Sequence, residues 1–177
     1  MFKFLYFSCV ALRIILAPLI FLFPIPIIFI LFFLDAIDVE FASRKVLTLN
    51  QYEKYDKALD LWWYINALVY SYFYLNTYFI FLFILFIYRL VGDILFFSKG
   101  QRKILVFFPN FFENVFFLVF FSLHFNQLSF LLNGINFYIA LFFVCLIKII
   151  QEWWVHFAQI SIPEDIFKKK RTWLQEK

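Results

Sequence analysis

Long apolar stretches alternate with short polar ones along the whole chain. The first apolar run covers Phe4 to Phe23, with Lys3 in front of it and Arg13 inside it. Pro24 and Pro26 predict a tight turn, and a second run follows from Ile27 to Phe41, closing on Asp35 and Asp38. Residues 44–57 are polar and basic (Arg44, Lys45, Lys54, Lys57). A third run then covers Leu59 to Tyr74, with helix expected from near Gln51. The fourth run is Tyr78 to Phe97, ended by a basic stretch through Lys103. The fifth is Ile104 to Phe125, with Pro109 as an expected kink and Glu113 inside. The sixth is Phe130 to Ile150, with helix expected to continue to Ile160. A membrane-crossing helix needs roughly 20 mostly apolar residues, and these runs approach that length. The pattern predicts an all-α, polytopic membrane protein with six transmembrane helices. Residues 1–160 form a single transmembrane domain in this reading, and 161–177 a basic cytosolic tail carrying Lys168-Lys169-Lys170-Arg171.

Composition rules out the soluble alternative. The 177 residues are 65% hydrophobic and 26% aromatic, with mean hydropathy +0.85. A soluble domain of this size cannot bury so much apolar surface. Lys3 and the first run resemble the start of a signal peptide. Arg13 interrupts the run and no small-residue cleavage site follows, so a retained helix is expected. Charge orients the spans. Lys3, the 44–57 loop, the 99–103 loop and the tail fall on one side. The links around 24–26, 75–77 and 124–129 hold no Lys or Arg. The positive-inside rule therefore places both termini in the cytosol and the protein in the cell membrane as a multi-pass chain. Trp62, Trp63, Trp153 and Trp154 would lie at the cytosolic interface. The net charge of +4 suits an anionic lipid surface and gives no footprint for nucleic acid. Cys9 and Cys145 lie far apart in apolar runs, without the close spacing of a metal or redox pair.

Candidate chemistry gathers between the second and third runs. The chain has six aspartates, and four of them (Asp35, Asp38, Asp56, Asp60) fall between residues 35 and 60. Asp35 and Asp38 are three apart and share a helical face; Asp56 and Asp60 are four apart and share another. A helical hairpin turning near residues 45–52 would bring all four together. Carboxylates so placed repel unless a cation holds them, and hard oxygen donors point to Mg²⁺ or Mn²⁺. Arg13 lies 12 residues before Ile25 and Asp38 lies 13 after it. Antiparallel helices would set them at similar depth, so Asp35 or Asp38 is the expected partner of this costly intramembrane cation.

The spacing from Asp35 to Asp60 resembles the CDP-alcohol phosphotransferase motif, D-x2-D-G-x2-A-R-x8-G-x3-D-x3-D. Asp35, Asp38, Ala42, Asp56 and Asp60 fall in frame, while Val39 and Tyr52 stand at the two glycine positions and Ser43 at the arginine, with Arg44 one residue later. The segment L-R-I-I-L-A-P-L around Arg13 is also similar to the first helix of that family. The resemblance implies a phospholipid-biosynthesis-type transferase that moves a substituted phosphate from a CDP-linked alcohol to an acceptor alcohol and releases CMP. By position, Asp35, Asp38 and Asp56 would be metal ligands, and Asp60 the general base and a further ligand. Val39, Ala42, Arg44 and Tyr52 would border the substrate. The implied partners are a membrane lipid and a CDP-linked substrate, with a homodimer as a family trait on which the residues are silent.

Two other classes remain open. One is a catalytically silent relative acting as a structural or lipid-binding membrane protein, which the replaced glycines favour. The other is a small ion or solute transporter, which the almost wholly apolar outer half disfavours. Arg89 and Asp93 are four apart and are expected to neutralise each other. Glu113 and Lys148 are further intramembrane charges without an assigned partner, and His124 and His156 read as interfacial. No Ser-His-Asp set, P-loop or dinucleotide fingerprint is present.

Overall fold

The computed structural model describes residues 1–101, 103–154 and 172–174. Among the described residues seven α-helices follow one another: α1 (Phe2–Leu16), α2 (Pro24–Ala42), α3 (Leu49–Tyr74), α4 (Asn76–Lys99), α5 (Ile104–Phe107), α6 (Phe111–His124) and α7 (Gly134–Glu152). Two 3₁₀ segments, Ala17–Phe21 and Asn126–Leu132, also occur among the described residues. The only extended pairing among the described residues is an isolated bridge between Arg44 and Thr172.

Proline explains most departures from the expected boundaries. Pro18 ends the α-helical part of the first run, which tightens into the 3₁₀ segment; together they make one apolar rod, Phe2–Phe21. Pro24 and Pro26 do not form the expected turn. They open α2, where a missing N–H is no loss, and the chain reverses at Leu22 and Phe23 instead. Pro109 breaks the fifth run rather than kinking it. Phe108, excluded from the helical region by the proline after it, sits at φ −126° and ψ 61°. Asn110 then caps α6, its side chain accepting from the Glu113 N–H. The third run begins earlier than expected because Thr48 and Gln51 form a capping box. The Thr48 hydroxyl accepts from the Gln51 N–H and the Gln51 side chain accepts from the Thr48 N–H, each at 3.2 Å.

Among the described residues three segments are long and apolar enough to cross a membrane: Phe2–Phe21, Asn76–Lys99 and Gly134–Glu152. The outward side chains are themselves apolar. Phe29, Phe32 and Phe33 on α2, Ile80 and Ile84 on α4, and Phe142 and Ile147 on α7 are all exposed, as a lipid solvent allows and water does not. α2 carries three carboxylates near its end, and α6 is only 14 residues long. The helix expected to run on to Ile160, His156 and the basic run 168–171 lie outside the described residues.

The chain divides into two compact units, Met1–Asn66 with Ser161–Lys177, and Ala67–Ile160. In the first unit the buried face of α1 reads Tyr6, Cys9, Arg13, Ala17 and Ile20, a helical spacing with a cation at its centre. The buried face of α2 likewise reads Leu31, Leu34, Asp38 and Ala42, so a carboxylate occupies a packing position. In the second unit α6 buries Phe112, Val115, Phe116, Val119 and Phe120. Phe112 meets Phe86 of α4 edge-on at 5.6 Å, and Phe116 meets Tyr70 at 6.3 Å.

Candidate functional site

The hairpin expected between the second and third runs forms: α2 ends at Ala42 and α3 begins at Leu49. Its connection is held locally. The Val46 and Leu47 N–H groups donate to the Ala42 carbonyl, and Lys45 adopts a left-handed φ of 59°. This reversal sets the α2 aspartates opposite those of α3.

Arg13 of α1 reaches all four carboxylates. Its Nη1 donates to Asp38 Oδ2 at 2.5 Å and lies 3.7 Å from Asp56 Oδ1. Its Nη2 lies 2.9 Å from Asp35 Oδ1 and 3.0 Å from Asp60 Oδ1. The expected partnership with Asp35 or Asp38 therefore involves both and extends to α3. A second cation, Lys57, meets Asp56 Oδ2 at 2.9 Å and Asp60 Oδ2 at 2.6 Å. That contact was legible in principle, since Lys57 is adjacent to one aspartate and three residues from the other.

The carboxylates differ in access. Asp38 is fully buried, whereas the Asp35 side chain is 45% exposed. Both oxygens of Asp38 are engaged, one by Arg13 and the other by the Tyr52 hydroxyl, which donates at 2.9 Å. Burial, then the nearby charges of Asp56, Asp38 and Asp35, pushes the Tyr52 phenol well above its ordinary range. It therefore stays protonated and remains a donor to Asp38.

The donor set fits a hard divalent cation. One carboxylate oxygen from each of Asp35, Asp38 and Asp56 lies within 4.8 Å of the others. Asp60 lies outside that ligand triad and reaches the two basic side chains.

The remaining candidate residues take other positions. Ala42 is fully buried in an apolar cluster with Tyr6, Leu47 and Tyr52, and Val39 packs against the same cluster. Arg44 is exposed, with its guanidinium over the Phe2 ring at 5.6 Å. The three residues Thr172–Leu174, to which no role attached from the sequence, pair with the hairpin connection.

The second unit holds a separate group of buried charges. Arg89 lies 3.1 Å from Asp93, as their spacing predicts, and donates to the Phe108 carbonyl at 2.8 Å. Lys148 meets Glu152 at 3.1 Å, and Glu152 accepts from the Asn110 N–H at 3.3 Å. Glu113 accepts from the Asn110 side chain at 2.8 Å. These groups stitch together the backbone break around Pro109. His124 lies 2.8 Å from the Phe120 carbonyl, a contact within its own helix.

The described residues are thus all-helical, with three helical segments long and apolar enough to cross a membrane and an acidic cluster at one helical hairpin. Comparison with protein-family models, with curated proteins and with solved structures finds no match to this chain.

Proposed function

We propose that this chain is a metal-dependent membrane transferase of the CDP-alcohol phosphotransferase type. It would move a substituted phosphate from a CDP-linked alcohol to an acceptor alcohol, with release of CMP. The observation that carries this reading is the convergence of Asp35, Asp38, Asp56 and Asp60 on one guanidinium at the α2–α3 hairpin. Sequence spacing alone cannot bring the two pairs together; the fold does, and it leaves Asp35 accessible.

In this reading Asp35, Asp38 and Asp56 hold Mg²⁺ or Mn²⁺. When bound, the cation neutralises charge on the diphosphate and on the departing CMP. Asp60 takes the proton of the attacking hydroxyl as its oxygen bonds to phosphorus and the bond to CMP breaks. Lys57 lies 2.6 Å from Asp60 and holds that carboxylate in place. Six spans with both termini cytosolic place the hairpin at headgroup depth, where it receives one lipid and one soluble substrate. Reporter fusions at residues 50, 101 and 170 should then read inside, and at 76 and 127 outside. An odd number of crossings would remove this placement.

One observation favours a second reading, a silent relative with a structural or lipid-binding role. Arg13 and Tyr52 together occupy both oxygens of Asp38, leaving that carboxylate satisfied without a metal. Purified protein incubated with Mn²⁺ and a panel of CDP-alcohols decides between them. CMP release supports the transferase, and its absence with every donor supports the silent relative.

A further inference from the structure

The described C-terminal residues return to the hairpin. The Thr172 N–H donates to the Ser43 carbonyl at 3.0 Å, the Lys45 N–H to the Thr172 carbonyl at 2.8 Å, and the Leu174 N–H to the Leu47 carbonyl at 2.9 Å. Three backbone hydrogen bonds thus bind a short extended segment along the α2–α3 connection. Between them, the Trp173 ring packs on Tyr52 with centroids 5.5 Å apart and joins the cluster of Tyr6, Ala42, Leu47 and Tyr52. Tyr52 in turn donates to the fully buried Asp38. A chain of contacts runs from the C-terminal segment through one aromatic pair to one carboxylate.

We propose that Thr172–Leu174 is a strap that seats Tyr52 against Asp38, making Trp173 a positioning residue for that carboxylate. The tyrosine that replaces a motif glycine is then a support. Its phenol takes one oxygen of Asp38 and leaves the other to Arg13, which fixes the carboxylate plane. The strap bears on how a bulky side chain is accommodated here: the Trp173 ring packs on Tyr52, tilted by 39°. Its role in metal binding rests on the metal-site reading above; its role in placing Tyr52 does not.

A double-mutant cycle on the full-length protein in detergent tests this, with two readouts. In the first, Mn²⁺ binding is followed by electron paramagnetic resonance. Trp173→Ala should weaken binding about tenfold, as loss of a residue that orients a ligand does. Tyr52→Phe should weaken it by a similar factor, and the double variant should be no worse than either. Trp173→Phe, which keeps a ring, should restore affinity. Wild-type affinity in Trp173→Ala, or multiplied effects in the double variant, would overturn the proposal. In the second readout, melting without metal, Tyr52→Phe should lower Tm by about 3 °C in the wild type and by less than half that beside Trp173→Ala. Equal shifts in both backgrounds would overturn the strap. If the wild type binds no Mn²⁺ at all, the metal-site reading fails and the melting cycle alone decides the strap. Trp173→Leu replaces Trp173→Ala should the latter fail to accumulate.

Discussion

Arg13 and Arg89 are both buried in helices, and both are met by carboxylates, but in different proportions. Around Arg13, with Lys57, two basic side chains face four aspartates, three of them at least partly accessible. Around Arg89, with Lys148, two basic side chains face Asp93 and Glu152, and all four are nearly inaccessible. These four side chains are nearly dry, and two of their hydrogen bonds end on the backbone at Phe108 and Asn110. They hold a broken helix in shape. The first group is reached by solvent through Asp35, whose side chain is 45% exposed. The two clusters differ in access: three aspartates of the first are at least partly exposed, whereas the charges around Arg89 are nearly inaccessible.

The largest expected effects come from removing each arginine. Arg13→Met and Arg89→Met should each cost about 3–5 kcal/mol of stability, because each leaves buried carboxylates without their cation. The comparison predicts different remedies. Mn²⁺ should recover much of the loss in Arg13→Met and none in Arg89→Met, read by thermal unfolding in detergent. Equal recovery in both would erase the distinction between the two clusters.

Metal should also act on the unaltered protein. At a hundredfold excess over Kd, Mn²⁺ should add about 2.7 kcal/mol, since only the folded hairpin assembles the ligands. Asp35→Asn combined with Asp38→Asn should remove most of that gain, and Asp93→Asn should leave it intact. A Mn²⁺ shift that survives the α2 pair would place the ion elsewhere.

A smaller effect tests packing in the second unit. A Cβ built at Gly92 collides with the Cβ of Phe108, at the root of a side chain that cannot swing aside. Gly92→Ala should cost about 1–3 kcal/mol and leave the Mn²⁺ shift unchanged. The least effect, and of opposite sign, belongs to Lys57→Met. Taking away a cation that competes for Asp56 and Asp60 should tighten Mn²⁺ binding about fivefold at low salt, and less as salt rises. Weaker binding in this variant would mean that Lys57 supports the site.

Much of this was legible in the chain. Apolar runs separated by polar stretches specify long apolar helices, and three of those described match the length that bilayer thickness sets for a crossing. The i,i+3 and i,i+4 spacing of the aspartates follows from a constant rise per residue, so the shared face of each pair could be anticipated. The Arg89–Asp93 pair is local for the same reason. The Arg13–Asp38 contact, by contrast, was expected from a turn at Pro24 and Pro26 that lies at Leu22 and Phe23 instead. What happens at Pro109 was legible as a disturbance but not as a full break, because the outcome depends on Asn110 capping the next helix and Arg89 holding the Phe108 carbonyl. Arg13 reaching all four aspartates, the Tyr52 hydroxyl on Asp38 and the return of Thr172–Leu174 to the hairpin were decided by the tertiary structure alone. These contacts join residues up to 129 positions apart, and no periodicity along a chain encodes which distant backbone will pass beside it.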